Sequence, residues 1–144
     1  SRTIVEKRAA KKIETTGQLV SIINELVPQN FQRKTLSRIF QALRIYVNDE
    51  LGNLKLFLEN SLNVLKKGGH IVIISYHSLE DRIVKDFFKA ETIVNLGPKE
   101  DPLGLIKRDA RLKLITRKPL LPSDEEISYN YRARSAKLRA AERI

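Results

Sequence analysis

The sequence predicts an α/β fold, and three observations carry that expectation. Leu36, Phe40, Leu43, Val47, Leu51, Leu54, Leu58, Leu62 and Leu65 recur at spacings of three and four, close to the helical period. Lys66-Lys67-Gly68-Gly69 then ends the helical pattern, with cations in the last turn and glycine after it. A β-branched run, His70 to Tyr76, follows, and a second amphipathic pattern begins at Ser78. Helix, Gly-Gly turn, strand and helix in that order is the rhythm of a doubly wound sheet.

The remaining elements follow in chain order. Residues 1–12 read as helix, starting on Ser1-Arg2 without a cap, as expected of a chain with further sequence upstream. Thr15 and Gln18 have capping-box spacing, and the helix they open stops before Pro28. Residues 28–34 read as a polar connection, and Gly52 as the break if residues 36–65 form two helices. Residues 70–76 read as a buried strand of parallel type. Ser78 reads as the cap of the next helix, with Asp81 three residues on and Leu79, Ile83, Val84, Phe87 and Phe88 facing inward. Residues 95–110 read as a loop, Arg111 to Thr116 as a strand, and Asp124 to Ile127 as a short acidic helix. Residues 133–144 are ambiguous: their composition favours helix, while Leu138 and Ala140 also suit one face of a strand.

Composition narrows the function. The 144 residues suffice for one domain with a core, and 42% hydrophobic with 31% charged residues is globular composition. No apolar run approaches the roughly 20 residues of a membrane span. Cys is absent, which excludes disulfides and thiolate metal sites, and His70 and His77 are too few for a structural zinc site, so no metal is expected. A cytoplasmic protein is expected. The net charge of +10 points to a polyanionic partner. It is uneven: residues 1–47 carry nine Lys/Arg against three acids, 48–91 six against seven, and 92–144 twelve against seven.

Three stretches resemble one family, the bacterial 16S ribosomal RNA cytosine-N4 methyltransferases. The first is Phe40-Gln41-Ala42-Leu43-Arg44-Ile45 with Val47-Asn48-Asp49-Glu50-Leu51. The second is Gly68-Gly69, the strand, then His77-Ser78-Leu79-Glu80-Asp81-Arg82-Ile83-Val84-Lys85 with Phe87-Phe88. The third is Lys118-Pro119-Leu120, Pro122-Ser123, Glu125-Glu126, Asn130, and Arg132-Ala133-Arg134-Ser135-Ala136-Lys137-Leu138-Arg139. Ile4-Val5-Glu6 and Ile13-Glu14-Thr15-Thr16-Gly17 are also similar to the family's connecting helices, so the resemblance spans nearly the whole chain. Two places depart from it. Arg33 to Arg38 replaces a usual His-Pro-Ala-Thr stretch, and Tyr131 stands where the family usually has Pro.

The resemblance implies a partial class I methyltransferase (Rossmann-like) sheet with a helical insertion, lacking its N-terminal strands. Residues 1–47 would be the remainder of the insertion, and 48–144 the C-terminal part of the α/β domain, with residues 136–144 a strand. It implies S-adenosylmethionine-dependent methylation of a cytosine N4 in 16S ribosomal RNA by a parent protein roughly twice this long. The donor's glycine-rich loop belongs to the other half, since Gly68-Gly69 precedes a strand rather than following one. The chain alone is therefore expected to be inactive. Its partners would be 16S rRNA and the small ribosomal subunit, with no membrane, and an unpaired sheet edge would invite a dimer or a swapped segment. The alternative is a non-catalytic basic RNA-binding or ribosome-assembly module.

The candidate substrate and RNA residues are Arg44, His77, Ser78, Asp81, Arg82, Arg132, Arg134 and Lys137. His77 and Ser78 close the strand at the sheet end where such folds place ligands. His77 is the candidate general base. Ser78 and Asp81 either cap a helix alone or also line a cytosine pocket; Arg82 either joins them or pairs with Asp86. The Arg132–Arg139 run is either a solvated face or a set of phosphate contacts. Arg44 either anchors its helix by a buried ion pair or reaches RNA. Tyr129 and Tyr131 either stack on bases or fill the core.

Overall fold

The structure is a computed structural model and describes residues 2–92 and 109–144; most of the expected loop at 95–110 lies outside these. The chain divides into two compact units, Ser1–Glu50 and Leu51–Ile144.

In the first unit, α2 (Thr16–Leu26) packs against α1 (Arg2–Ala10) and α3 (Gln29–Val47), with Ile23 as its buried residue. The expected capping box is present. Thr15 Oγ1 accepts from Gln18 N (3.2 Å), and Gln18 Oε1 accepts from Thr15 N (3.2 Å) and Glu14 N (2.7 Å). The polar connection expected at 28–34 is instead the first turn and a half of α3. Pro28 ends α2 and its fixed φ of −53° serves as the N-cap of α3, so no linker is needed. Gln32 Nε2 then donates to the carbonyls of Asn24 and Val27, using a polar side chain of α3 to satisfy the end of α2.

The helical break falls at Asn48-Asp49, not at Gly52. Asp49 takes φ 47°, a left-handed conformation that Asp tolerates better than most residues, while Gly52 lies inside α4 (Glu50–Val64). The helix stop beyond it is as expected. Gly68 has φ 78°; its N–H donates to Arg143 O (2.7 Å), and Arg143 N donates to Gly69 O (2.8 Å). A Cβ on Gly69 would lie 2.8 Å from Lys66 O and 3.0 Å from Leu65 Cγ. Because that oxygen is backbone already bonded to Gly69 N, Gly69→Ala should cost about 1–3 kcal/mol of stability. Chemical denaturation of the variant checks it, and wild-type stability would show that the turn adjusts.

The second unit is built on a three-stranded sheet in the order β1 (His70–Ser75), β3 (Lys137–Arg143), β2 (Leu112–Leu114). Both pairs are antiparallel, with Ile71 opposite Ala141, Ser75 opposite Lys137 and Leu114 opposite Ala141. β1 therefore differs from the fully buried parallel strand its composition suggests. Ile71 and Ser75 are buried, whereas Val72 and Ile74 are each 53% exposed on the other face. Among the described residues β1 has a ladder partner on one side only. β3 is a strand despite its helix-favouring Ala, Lys, Arg and Glu, because it lies between two partners and tertiary pairing overrides a weak local preference.

The core under the sheet is Leu58 and Leu62 of α4, Ile71, Ala141, Leu112, and Val84 and Phe88 of α5 (Ser78–Thr92). The chain also forms α6 (Asp124–Tyr129), whose cap Ser123 Oγ accepts from Glu126 N (3.1 Å), and a 3-10 turn over Tyr131–Ser135. No helix of the described residues is long and apolar enough to cross a membrane.

Candidate functional site

The carboxyl end of β1 meets the start of α5, and the first helical residue is Ser78. The cap is therefore His77, not Ser78, and the capping box pairs His77 with Glu80. His77 Nδ1 accepts from Glu80 N (3.4 Å), and Glu80 Oε2 accepts from Tyr76 N (2.9 Å) and His77 N (3.3 Å). The spacing is that of an ordinary box with His in place of Ser or Thr. Ser78 is exposed at the first helical position. His77 Nε2 is shielded from solvent and lies 3.2 Å from Glu80 Oε1 without hydrogen-bond alignment. With Nδ1 acting as acceptor, the ring proton is assigned to Nε2.

Asp81 is not a cap partner either. Its carboxylate turns under the sheet to Arg139, with Oδ1 to Nε at 2.7 Å and Oδ2 to Nη2 at 3.3 Å, and Lys137 Nζ lies 3.4 Å from Oδ2. Asp81 is 9% and Arg139 7% exposed, so this ion pair is buried. The hydrogen bond from Arg139 holds the Asp81 carboxyl below the usual aspartate range, against the opposing effect of burial, with the charges of Arg139 and Lys137 adding to it. Ser75, opposite Lys137 in register, is also buried, and its Oγ has no hydrogen-bond partner among the described residues.

Among the described residues, Arg82, Arg132 and Arg134 make no ion pair with this cluster. Arg82 is exposed and lines a surface cleft of about 310 Å³ with Lys55, Glu59 and Phe87; Asp86 pairs with Lys85 (3.5 Å) rather than with Arg82. Arg44 belongs to the first unit. Its side chain is 59% exposed and grips Glu50 across the break between α3 and α4, at 2.8 Å and 3.2 Å. The ion pair is thus present, but exposed rather than buried. Arg132 and Arg134 are exposed on the 3-10 turn, and neither has a carboxylate partner among the described residues. The structure thus brings His77, Ser78 and Asp81 to one strand end and ties Lys137 to them through Asp81.

The MraW methylase family matches residues 1–144 of this chain. The chain belongs to that family. Relatives named "Ribosomal RNA small subunit methyltransferase H" align along all of it: the protein of Caldicellulosiruptor bescii is 48% identical over 145 residues, that of Carboxydothermus hydrogenoformans 48% over 146, and that of Clostridioides difficile 46% over 147. In each case the alignment covers 100% of this chain and 47% of the relative. The chain spans about half the length of the curated relatives it matches.

The Gly68-Gly69 turn does not fit an adenosyl or phosphate cradle: both amides are taken by backbone carbonyls, Arg143 O and Lys66 O. No group of three or more potential metal ligands occurs among the described residues. Two residues of the strand end escaped the sequence reading, Glu80 and Arg139. Glu80 was detectable as the third residue after His77. Arg139 was not, because its partner lies 58 residues away.

Proposed function

We propose that this chain supplies the substrate-side half of an S-adenosylmethionine-dependent enzyme that methylates the N4 amine of a cytosine in 16S ribosomal RNA. The whole-length family match carries the reading, and it disfavours the rival of a non-catalytic assembly module. The sheet order supports a partial class I methyltransferase sheet. In that arrangement a strand from outside these 144 residues pairs in parallel with the outer edge of β1, and further chain covers the apolar face of Val72, Ile74 and Tyr76. A polypeptide of these residues alone would instead associate through that edge, as a dimer or by a swapped segment.

The chemistry sets what the strand end must do. The lone pair of a cytosine amine is delocalised into the ring, so the amine must be held in line with the methyl donor and relieved of a proton. The base must also leave its stack to be reached. S-adenosylmethionine supplies the methyl group, held mainly by sequence beyond this chain. Here the His77–Glu80 box and the Asp81–Arg139 pair fix the turn after β1, so that the segment from Tyr76 to Ser78 is presented rigidly to the base. His77 acts as a positioning residue, since its Nδ1 lone pair already serves the helix cap. Arg132 and Arg134 give phosphate contacts that add affinity without sequence information.

The test is methyl transfer by the full-length protein to small ribosomal subunits lacking the modification, read by mass spectrometry of the released nucleosides. N4-methylcytidine is expected. Methylation at another atom, or none with active donor binding, overturns the reading.

A further inference from the structure

The 3-10 turn carries a feature that the methylation reading does not use. Tyr129 is 85% and Tyr131 68% exposed, which is unusual for aromatic side chains. The guanidinium of Arg134 lies 4.0 Å from the centroid of the Tyr131 ring, and Arg134 Nη1 donates to Tyr131 O (3.4 Å). One face of the ring is therefore held by a cation, and its exposure leaves the other face to solvent. The turn itself is firmly seated, with Ala133 3% exposed and Asn130 Oδ1 accepting from Arg132 N (3.2 Å). From Ile127 to Ala141 the chain has four cations and no acid. Two of those cations, Lys137 and Arg139, are committed to Asp81, while Arg132 and Arg134 have no carboxylate partner among the described residues.

We propose that Tyr131, backed by Arg134, is a stacking platform for one unpaired base of a single-stranded RNA segment, with Arg132 taking an adjoining phosphate. A ring already clamped on one face offers a π surface to a base with little further ordering, and the cation behind it favours a polyanion. A neutral or basic protein surface fits less well, because it would bury two guanidiniums that have no carboxylate partner among the described residues. The inference rests on the RNA reading and deepens it by specifying single-stranded RNA.

The experiment titrates the full-length protein with a short single-stranded RNA carrying one 2-aminopurine, following fluorescence across a series of salt concentrations. Quenching on binding is expected, with weaker binding of a duplex of the same sequence. Tyr131→Leu should weaken binding about tenfold, the order of one lost stack, and remove the quenching. It should leave both the salt slope and the melting temperature unchanged, and Tyr131→Phe should behave as wild type. Arg132→Ala should instead reduce the slope of log affinity against log salt by about 0.7. Wild-type binding and quenching by Tyr131→Leu would overturn the platform while the salt slope keeps the RNA reading intact. A Tyr131→Leu protein that melts lower but binds RNA normally would place the ring against protein, and also overturns it. No RNA binding at any salt overturns both.

Discussion

Arg139→Ala is expected to destabilise the fold by about 3–5 kcal/mol, because it strands the Asp81 carboxylate under the sheet without its partner. Asp81→Ala should cost a similar amount, leaving a guanidinium whose side chain is only 9% exposed. The two losses should not add. The double variant Asp81→Leu/Arg139→Met replaces both charges with apolar groups and should be more stable than either single variant. Lys137 can reach solvent with its half-exposed ammonium and needs no replacement. Acid gives an independent check. The folded carboxyl is held below its ordinary range, so the stability of the pair is fully present above about pH 4 and is lost as pH falls through the lowered value. The gap between wild type and Asp81→Asn should therefore close on acidification. A gap that is constant with pH would mean that Asp81 contributes by packing rather than by charge.

The second large effect is on turnover. In the full-length protein His77→Ala should lower kcat about 10- to 100-fold while leaving donor affinity unchanged, since a turn displaced by about an ångström misaligns the amine. Loss of the cap alone costs about 1 kcal/mol, so unfolding must be measured beside activity. His77→Asn separates position from chemistry. Asn is a strong helix cap that accepts from the same backbone amide, and it should recover stability and most of the turnover. A His77→Asn protein that is stable yet as slow as His77→Ala would make the imidazole itself a participant in proton transfer.

Local rules made several elements legible in the sequence. The Thr15–Gln18 box, the Gly68 stop and the short acidic helix opening at Asp124 all depend on contacts within four residues, and each appears where its pattern lies. The failures have two sources. Some were rival local solutions of similar cost: Pro28 starts a helix instead of a connection, Asp49 makes the turn offered to Gly52, and His77 takes the cap offered to Ser78. The others are long-range. Nothing near Asp81 marks it as the partner of Arg139, and the antiparallel pairing of β1 is decided by a strand more than 60 residues later. The strand at 137–143 was legible only through family resemblance, because its composition argues for helix.

On the proposed function, this chain forms the substrate side of the enzyme and the donor is bound by sequence outside these 144 residues. Isothermal titration with S-adenosylmethionine tests it most directly, comparing the full-length protein with a polypeptide of these 144 residues at matched concentration. The account predicts saturable donor binding by the full-length protein and no measurable heat of binding for the 144-residue polypeptide. Micromolar binding by the 144 residues alone would contradict it.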